Sequence, residues 1–446
     1  MLRRIRFPCI TYHLEKNAVL LTIYAGVATF FTYSCMYAFR KPFTAATFQQ
    51  TEMFSVGYKT LLVIAQLLGY TLSKFIGIKW IAELRSEHRA AGIILLIFIA
   101  WIALLLFAIL PPAAGVVCMF LNGIPLGLIW GIVFSYLEGR RTTEMMGAVL
   151  TVSFIFSSGV VKSVGKWLMI NCSVSEMAMP FVTGAVFIFP LIVFVVLLEQ
   201  IPHPSREDKA LRWERVPMSA VQRRDFLKHF LPGIVLLVVT YVFLTVLRDI
   251  RDNFAADIWQ ENGYGKAPAI FTFSEIPASV LILFMMSLLV LIQDNYEALK
   301  INFILITLGW VISLLSTLLF RSSALSPVIW MMLTGIGLYM GYVPFNCMLF
   351  ERLIAVFRRP SNVGFLMYVA DSFGYLGSIA VLLFREFFKV PMSWTHFFQH
   401  ALLVASIAGT VLIAASYVYF SWRYKKTVKL DERDKLIEEK SSVYKI

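Results

Sequence analysis

Twelve apolar stretches, each long enough to cross a bilayer as a helix, follow one another along this 446-residue chain, at roughly 17–39, 57–81, 89–110, 113–137, 146–171, 179–200, 229–250, 270–293, 299–320, 326–350, 362–384 and 397–422. A hydrocarbon core about 30 Å thick needs about 20 apolar residues per helix. Inside it every backbone N–H and C=O must find its partner within the protein, so stretches of this length read as helices. A soluble fold is the alternative, and composition closes it. Hydrophobic residues make up 59 % and charged residues 15 %, with 38 Phe, 18 Tyr and 10 Trp to shelter, against roughly 45–50 % apolar and roughly 25 % charged in soluble domains. The expectation is an all-α membrane protein of twelve transmembrane helices, and a soluble globular enzyme is excluded.

The formal net charge of +13 would suit a nucleic-acid surface only if the basic residues gathered on one folded face. Instead they punctuate the apolar runs, and 28 of the 40 Lys and Arg fall on one alternate side: the N-terminus, the even-numbered connections and the tail. That bias places both termini and the 201–228 connection in the cytoplasm. The reading is a multi-pass protein of a bacterial inner (plasma) membrane with no nucleic-acid partner. The apolar run after the basic Met1–Lys16 segment is too long for a signal-peptide core and lacks an A-x-A site, so it reads as a retained first span.

The 201–228 connection is the one long polar interior segment, with prolines at 202, 204 and 217, and reads as a linker. It divides the chain into an N-terminal six-helix bundle (1–200) and a C-terminal one (229–422), followed by a cytoplasmic tail (423–446) expected to be a short helix or disordered. The five cysteines show neither a paired spacing nor a zinc-ligand interval, so no disulfide framework, metal site or other cofactor is expected. Gly159 to Lys166 resembles a phosphate-binding loop. It fails, having five residues between its glycines, Trp167 in place of Ser/Thr, and a position inside a span.

The two halves repeat. Arg40-Lys-Pro-Phe43-Thr-Ala45 matches Arg251-Asp-Asn-Phe254-Ala-Ala256 at an offset of 251 − 40 = 211, and Gly123-Ile-Pro-Leu126 matches Gly335-Ile-Gly-Leu338 at 335 − 123 = 212. Six spans return the chain to its starting side, so the halves are parallel repeats related by an axis along the membrane normal, with a cavity between them. Glycines at four-residue spacing, Gly123, Gly127 and Gly131, then Gly337 and Gly341, point to close helix packing.

Ionisable residues at membrane depth are costly and therefore functional candidates. Lys74 and Asp371 each lie nine residues from the cytoplasmic end of their span (83 − 74 and 371 − 362), about 13 Å deep at 1.5 Å per residue. Lys162 and Glu275 share a depth nearer the outer side. For any one of these, snorkelling or a local hydrogen bond is the alternative. Arg40 and Lys41 follow the first stretch, and Arg248, Asp249, Arg251 and Asp252 close the seventh. Small and apolar residues continue through Phe43, Ala45, Ala46 and Phe48, so the first helix is expected to overshoot the bilayer with Arg40 facing protein or cavity. Two pseudo-symmetric guanidiniums suit a carboxylate or phosphate held between lobes.

Particular segments are similar to a known group. Tyr37-Ala-Phe-Arg40-Lys41-Pro-Phe43-Thr-Ala45, Gly69-Tyr70-Thr-Leu-Ser73-Lys74-Phe75, Gly127-Leu-Ile-Trp130 and Phe373-Gly374-Tyr375-Leu376-Gly377 resemble the major facilitator superfamily, and within it the organophosphate:phosphate antiporter branch. The resemblance implies two pseudo-symmetric six-helix bundles, a monomeric transporter, and a phosphoryl grip by Arg40, Lys74 and either Arg251 or Arg248, the internal repeat favouring Arg251. Phe156 stands where the branch carries a pocket histidine. The superfamily's helix arrangement also implies two alternating latches, Lys74 with Asp371 and Lys162 with Glu275.

The expected function is secondary active transport of a small organic anion, phosphorylated or not, by alternating access. Substrate binding falls to Arg40, Lys41, Lys74, Arg248 and Arg251, with Arg40 and Arg251 as the clamp. Gating or coupling falls to Lys162, Asp252, Glu275 and Asp371. Two other classes stay open: a transporter-derived sensor or scaffold without net flux, and a membrane-embedded transferase.

Overall fold

The computed structural model describes residues 7–49, 52–53, 56–83, 86–138, 140, 142–204, 220–357, 363–388 and 392–443. A short helix α1 (Pro8–Lys16) precedes six long ones, α2 (Ala18–Tyr37), α3 (Tyr58–Glu83), α4 (Arg89–Ile109), α5 (Pro112–Phe134), α6 (Thr143–Asn171) and α7 (Met179–Leu198). The second half repeats the plan with α8 (Ala220–Asn253), the short α9 (Ala255–Glu261), α10 (Ile270–Val290), α11 (Asn295–Arg321), α12 (Pro327–Pro344), α13 (Phe350–Phe357), α14 (Val363–Phe387) and α15 (Trp394–Val443). A two-stranded hairpin, β1 (Glu52–Met53) with β2 (Val56–Gly57), precedes α3. The twelve long helices form two six-helix bundles over two apolar cores, the first of which also takes in Tyr375, Ile379 and Leu382 of α14 and the second Ala148, Val152 and Ile155 of α6. Eleven of them are long and apolar enough to cross a membrane. The twelfth, α14, is a 25-residue helix that carries Asp371.

Side chains left at the outside of the bundles identify the solvent. Val404, Ile407, Val411 and Val418 on α15 are all exposed, as are Ile304, Leu308 and Leu315 on α11 and Val186, Phe189 and Val193 on α7. Helical spacing aligns each set into a stripe, and stripes of this extent on a protein in water would be aggregation sites. In lipid they are the expected surface.

Where a hydrophobic drive is missing, helices are held by close backbone approach. A Cβ on Gly123 would collide with the Gln66 carbonyl oxygen, and one on Gly337 would collide with the Gly309 carbonyl. The glycine spacing therefore marks two close seams, α3 with α5 and α11 with α12. Across the bundle boundary α6 packs on α10 and α3 on α14.

Three expectations need correction. The first helix does not overshoot: α2 ends at Tyr37 and the chain passes through tight turns into a 3-10 turn, Pro42–Ala45. Pro42 has no N–H, would clash with the carbonyl four residues back, and disfavours helix at Lys41. Beyond Trp422 the chain is neither short nor disordered, since α15 runs unbroken for 50 residues. The third concerns the 201–228 linker, of which residues 205–219 lie outside the described residues. Its last part, from Ala220, is already the first part of α8.

Candidate functional site

A cavity of about 90 Å³ lies between the bundles. Its described wall comes from seven helices or the turns that follow them: Tyr33, Tyr37, Arg40 and Lys41; Tyr70 and Lys74; Trp130; Thr151, Phe154 and Ser158; Arg248, Asp249 and Asp252; Tyr339, Tyr342 and Asn346; and Met367, Asp371 and Tyr375. Four basic and three acidic side chains face one another across a largely aromatic lining.

Arg40 is placed by its backbone. The end of α2 leaves carbonyls without helical partners, and a buried amide pair takes them up. Gln66 Nε2 donates to the Arg40 carbonyl at 2.9 Å and to Asn122 Oδ1 at 2.8 Å, while Asn122 Nδ2 donates to the carbonyls of Phe39 at 3.1 Å and Ala100 at 3.0 Å. Two polar side chains on α3 and α5 thus fix the turn that carries the arginine. Asn122→Leu strands those groups, each costing about 1–3 kcal/mol when left unpaired. The expected result is a lower thermal midpoint and weaker ligand binding together, read by thermal unfolding with and without anion.

The Arg40 guanidinium lies over the Tyr70 ring, 3.9 Å from its centroid, and 5.6 Å from that of Tyr37. It is 7 % exposed, its Nε is buried without a hydrogen-bond partner, and among the described residues its side chain makes no ion pair. Its basic neighbours differ. Lys41 Nζ bridges the lobes to Asp252 Oδ2 at 2.5 Å and to Asn253 Oδ1 at 2.7 Å. Lys162 donates to both the carboxylate and the carbonyl of Asp252, and Ser158 donates to the same carboxylate. Arg248 binds Asp249 Oδ1 at 2.7 Å, and Ser378 donates to the other oxygen at 2.7 Å. The Lys74 ammonium lies 5.1 Å from the Tyr70 ring and 5.7 Å from Trp130.

Three sequence-based arrangements are not formed. Arg251 does not line the cavity: its guanidinium donates to Glu275 Oε1 at 2.6 Å and to the Met331 carbonyl at 2.9 Å, packed against Gly335. Arg40 and Arg251 therefore do not form a symmetric clamp, and Arg248 is the second arginine at the wall. The repeat explains the asymmetry. Counting back from Glu275 gives Ile64 (275 − 211 = 64), so the first half offers no carboxylate where the second half supplies one. Because Glu275 is taken by Arg251, Lys162 pairs with Asp252 and not with Glu275. Lys74 and Asp371 face the same cavity without an ion pair between them among the described residues, and Asp371 accepts instead from Tyr241 Oη at 2.5 Å. Phe156 packs on Phe30, and Thr151, Phe154 and Ser158 are the residues of that helix at the cavity wall.

The end of the bundles opposite the termini is closed by contacts that sequence reasoning did not single out. Lys59 Nζ meets Asp257 Oδ2 at 2.6 Å and the Thr44 carbonyl at 2.9 Å. Glu386 on α14 accepts from Thr60 Oγ1 at 2.9 Å and Gly57 N at 3.2 Å, and Ser163 meets Thr272 at 2.6 Å. At the termini end, Arg352 reaches Glu144 at 3.3 Å. The tyrosines were also missed as a group. Their signal was present, because a phenol hydroxyl deep in a span needs a partner and so turns inward.

Residues 42–423 match the family described as "Family of unknown function (DUF5690)". No curated protein matches the sequence. Several solved structures do resemble the chain. The proton:xylose symporter XylE of the major facilitator superfamily, bound to 6-bromo-6-deoxy-D-glucose, is 14 % identical, covers 90 % of this chain and 95 % of its own, and gives a TM-score of 0.60; XylE comes from E. coli. The nucleoside transporter NupG is 15 % identical over 90 % of this chain and 99 % of its own, with a TM-score of 0.58. A bacterial homolog of the human lysosomal transporter Spinster is 11 % identical over 92 % and 98 %, with a TM-score of 0.56. Identities this low speak to the fold alone, and the fold they share with this chain is that of the major facilitator superfamily.

Proposed function

The chain belongs to the DUF5690 family, and from that membership and its fold we propose that it is a secondary active transporter that moves a small organic anion across a bacterial inner membrane by alternating access. One observation carries the choice of an anion. Arg40 is a buried guanidinium at the cavity wall with no counter-ion among the described residues, beside Lys41, Arg248 and Lys162, each of which has one. An uncompensated buried charge is expensive, and an anionic ligand removes that cost on arrival. A neutral ligand would leave it in place.

In this reading both termini are cytoplasmic and the closed end is the outer one. The Lys41–Asp252, Lys162–Asp252 and Lys59–Asp257 pairs hold the lobes together there, so opening outward requires the two lysines on the first bundle to part from Asp252. Energy comes from exchange against a second anion or from protons carried by Asp252, Glu275 or Asp371.

Movement of the lobes is the test that needs no known substrate. Gln49 and Gln260, 3.3 Å apart across the outer end, take spin labels after replacement by cysteine. The expected distribution in nanodiscs has a short and a longer distance, and oxidising a second cysteine pair at Ser163 and Thr272 removes the longer one. A single short distance with every small anion tried would contradict transport and favour a static scaffold.

A further inference from the structure

We infer that the ligand is an aryl carboxylate, a single carboxylate joined to a planar aromatic ring; this deepens the transporter reading and rests on it. The charge half comes from Arg40. Tyr70 lies against its guanidinium, 3.9 Å from carbon to ring centroid, and its N–H groups, the unpartnered Nε among them, are left to meet a ligand. A carboxylate meets such an edge with two parallel hydrogen bonds. Lys41 and Arg248 already have Asp252 and Asp249, and one guanidinium without a counter-ion calls for one negative charge.

The ring half comes from the wall. Eight of the nineteen described lining residues are aromatic, against 15 % of the whole chain, and they come from both bundles. Tyr70 of one meets Tyr375 of the other edge-to-face, with ring centroids 5.6 Å apart and planes at 71°, and Phe154 of the first meets Tyr342 of the second at 6.0 Å and 88°. The Tyr342 ring already packs against Tyr241 and Arg248, so the stacking partners that remain at the wall are the Tyr70 and Tyr375 rings, beside which a flat ring stacks with an offset. A sugar acid fits less well. It presents a hydroxyl on nearly every ring carbon, each needing a partner once desolvated. Apart from phenols, the neutral partners among the described lining residues are Trp130, Thr151, Ser158 and Asn346, and Ser158 is already engaged with Asp252.

The test uses the full chain in nanodiscs and titrates five probes: benzoate, hexanoate, glucuronate, glycerol 3-phosphate and neutral xylose. Benzoate is expected to bind about tenfold more tightly than hexanoate, one stacked ring being worth roughly that factor. The advantage disappears in Tyr375→Leu, with Tyr70→Leu as the second variant should the first fold poorly, and binding of both acids disappears in Arg40→Gln. Equal affinity for benzoate and hexanoate, tighter binding of glucuronate or glycerol 3-phosphate, or no benzoate binding in the millimolar range overturns the aryl assignment; if another anion then binds through Arg40, the anion-transporter reading stands without it. Xylose binding that survives Arg40→Gln, with no anion bound, overturns both.

Discussion

Asp252→Ala is expected to be the most damaging single change at the lobe interface. Its carboxylate is the shared partner of two lysines that are 5 % and 2 % exposed, and the side chain itself is 11 % exposed. Removing it leaves two buried ammonium groups facing each other, and breaking a buried pair by deleting one partner costs about 3–5 kcal/mol. The cheapest relaxation is hydration of both lysines, which requires the outer end to open. Asp252→Ala should therefore lower the thermal midpoint and raise the reactivity of a cysteine placed at Ser163 toward a membrane-impermeant thiol reagent. Adding Lys162→Met should recover much of the stability, since one lysine can then pair with Asn253, which already accepts from Lys41 at 2.7 Å. Unchanged stability and unchanged labelling in Asp252→Ala would mean that this ion cluster does not hold the lobes together.

The twelve helices were legible because lipid imposes one rule on length and polarity. Predicted and observed limits agree closely for most of them, as at 89–110 against Arg89–Ile109 and 270–293 against Ile270–Val290. The breaks were harder to read. Around Arg40 the residues are small and apolar, and hydropathy alone does not register that Pro42 ends a helix. The π turn at Phe345–Leu349 after Pro344 is the same kind of event, and the sequence span 326–350 ran through it.

At the site, residue type and depth identified the charged residues that matter but not their partners. Partner choice depends on which face of each helix meets which neighbour, and a shift of one residue turns a helix by about 100°. Arg248 and Arg251, three residues apart, illustrate the point. The repeat pointed to Arg251, yet Glu275, which breaks the repeat, draws that arginine out of the wall. The departure from symmetry held the information, and it was already visible in the pairing of Glu275 with Ile64 at the repeat offset.

Arg40→Gln carries the second large effect, with an unusual signature. Deleting a bidentate, charge-assisted partner from a buried site costs about 2–5 kcal/mol of binding, or roughly one and a half to three and a half decades in affinity. The same change removes a buried cation that has no counter-ion among the described residues, with only cation–π attraction of about 1–2 kcal/mol given up in exchange. The ligand-free variant should therefore be at least as stable as the wild type while binding no anion. Merely structural importance would give the reverse, a less stable protein. The decisive measurement is uptake of labelled small organic anions, benzoate first, into proteoliposomes containing wild type or Arg40→Gln, alongside the thermal midpoint of each. The expected result is uptake above empty liposomes for wild type and none for an equally stable Arg40→Gln. Anion uptake that persists in Arg40→Gln, or wild-type uptake confined to neutral solutes, would contradict the account.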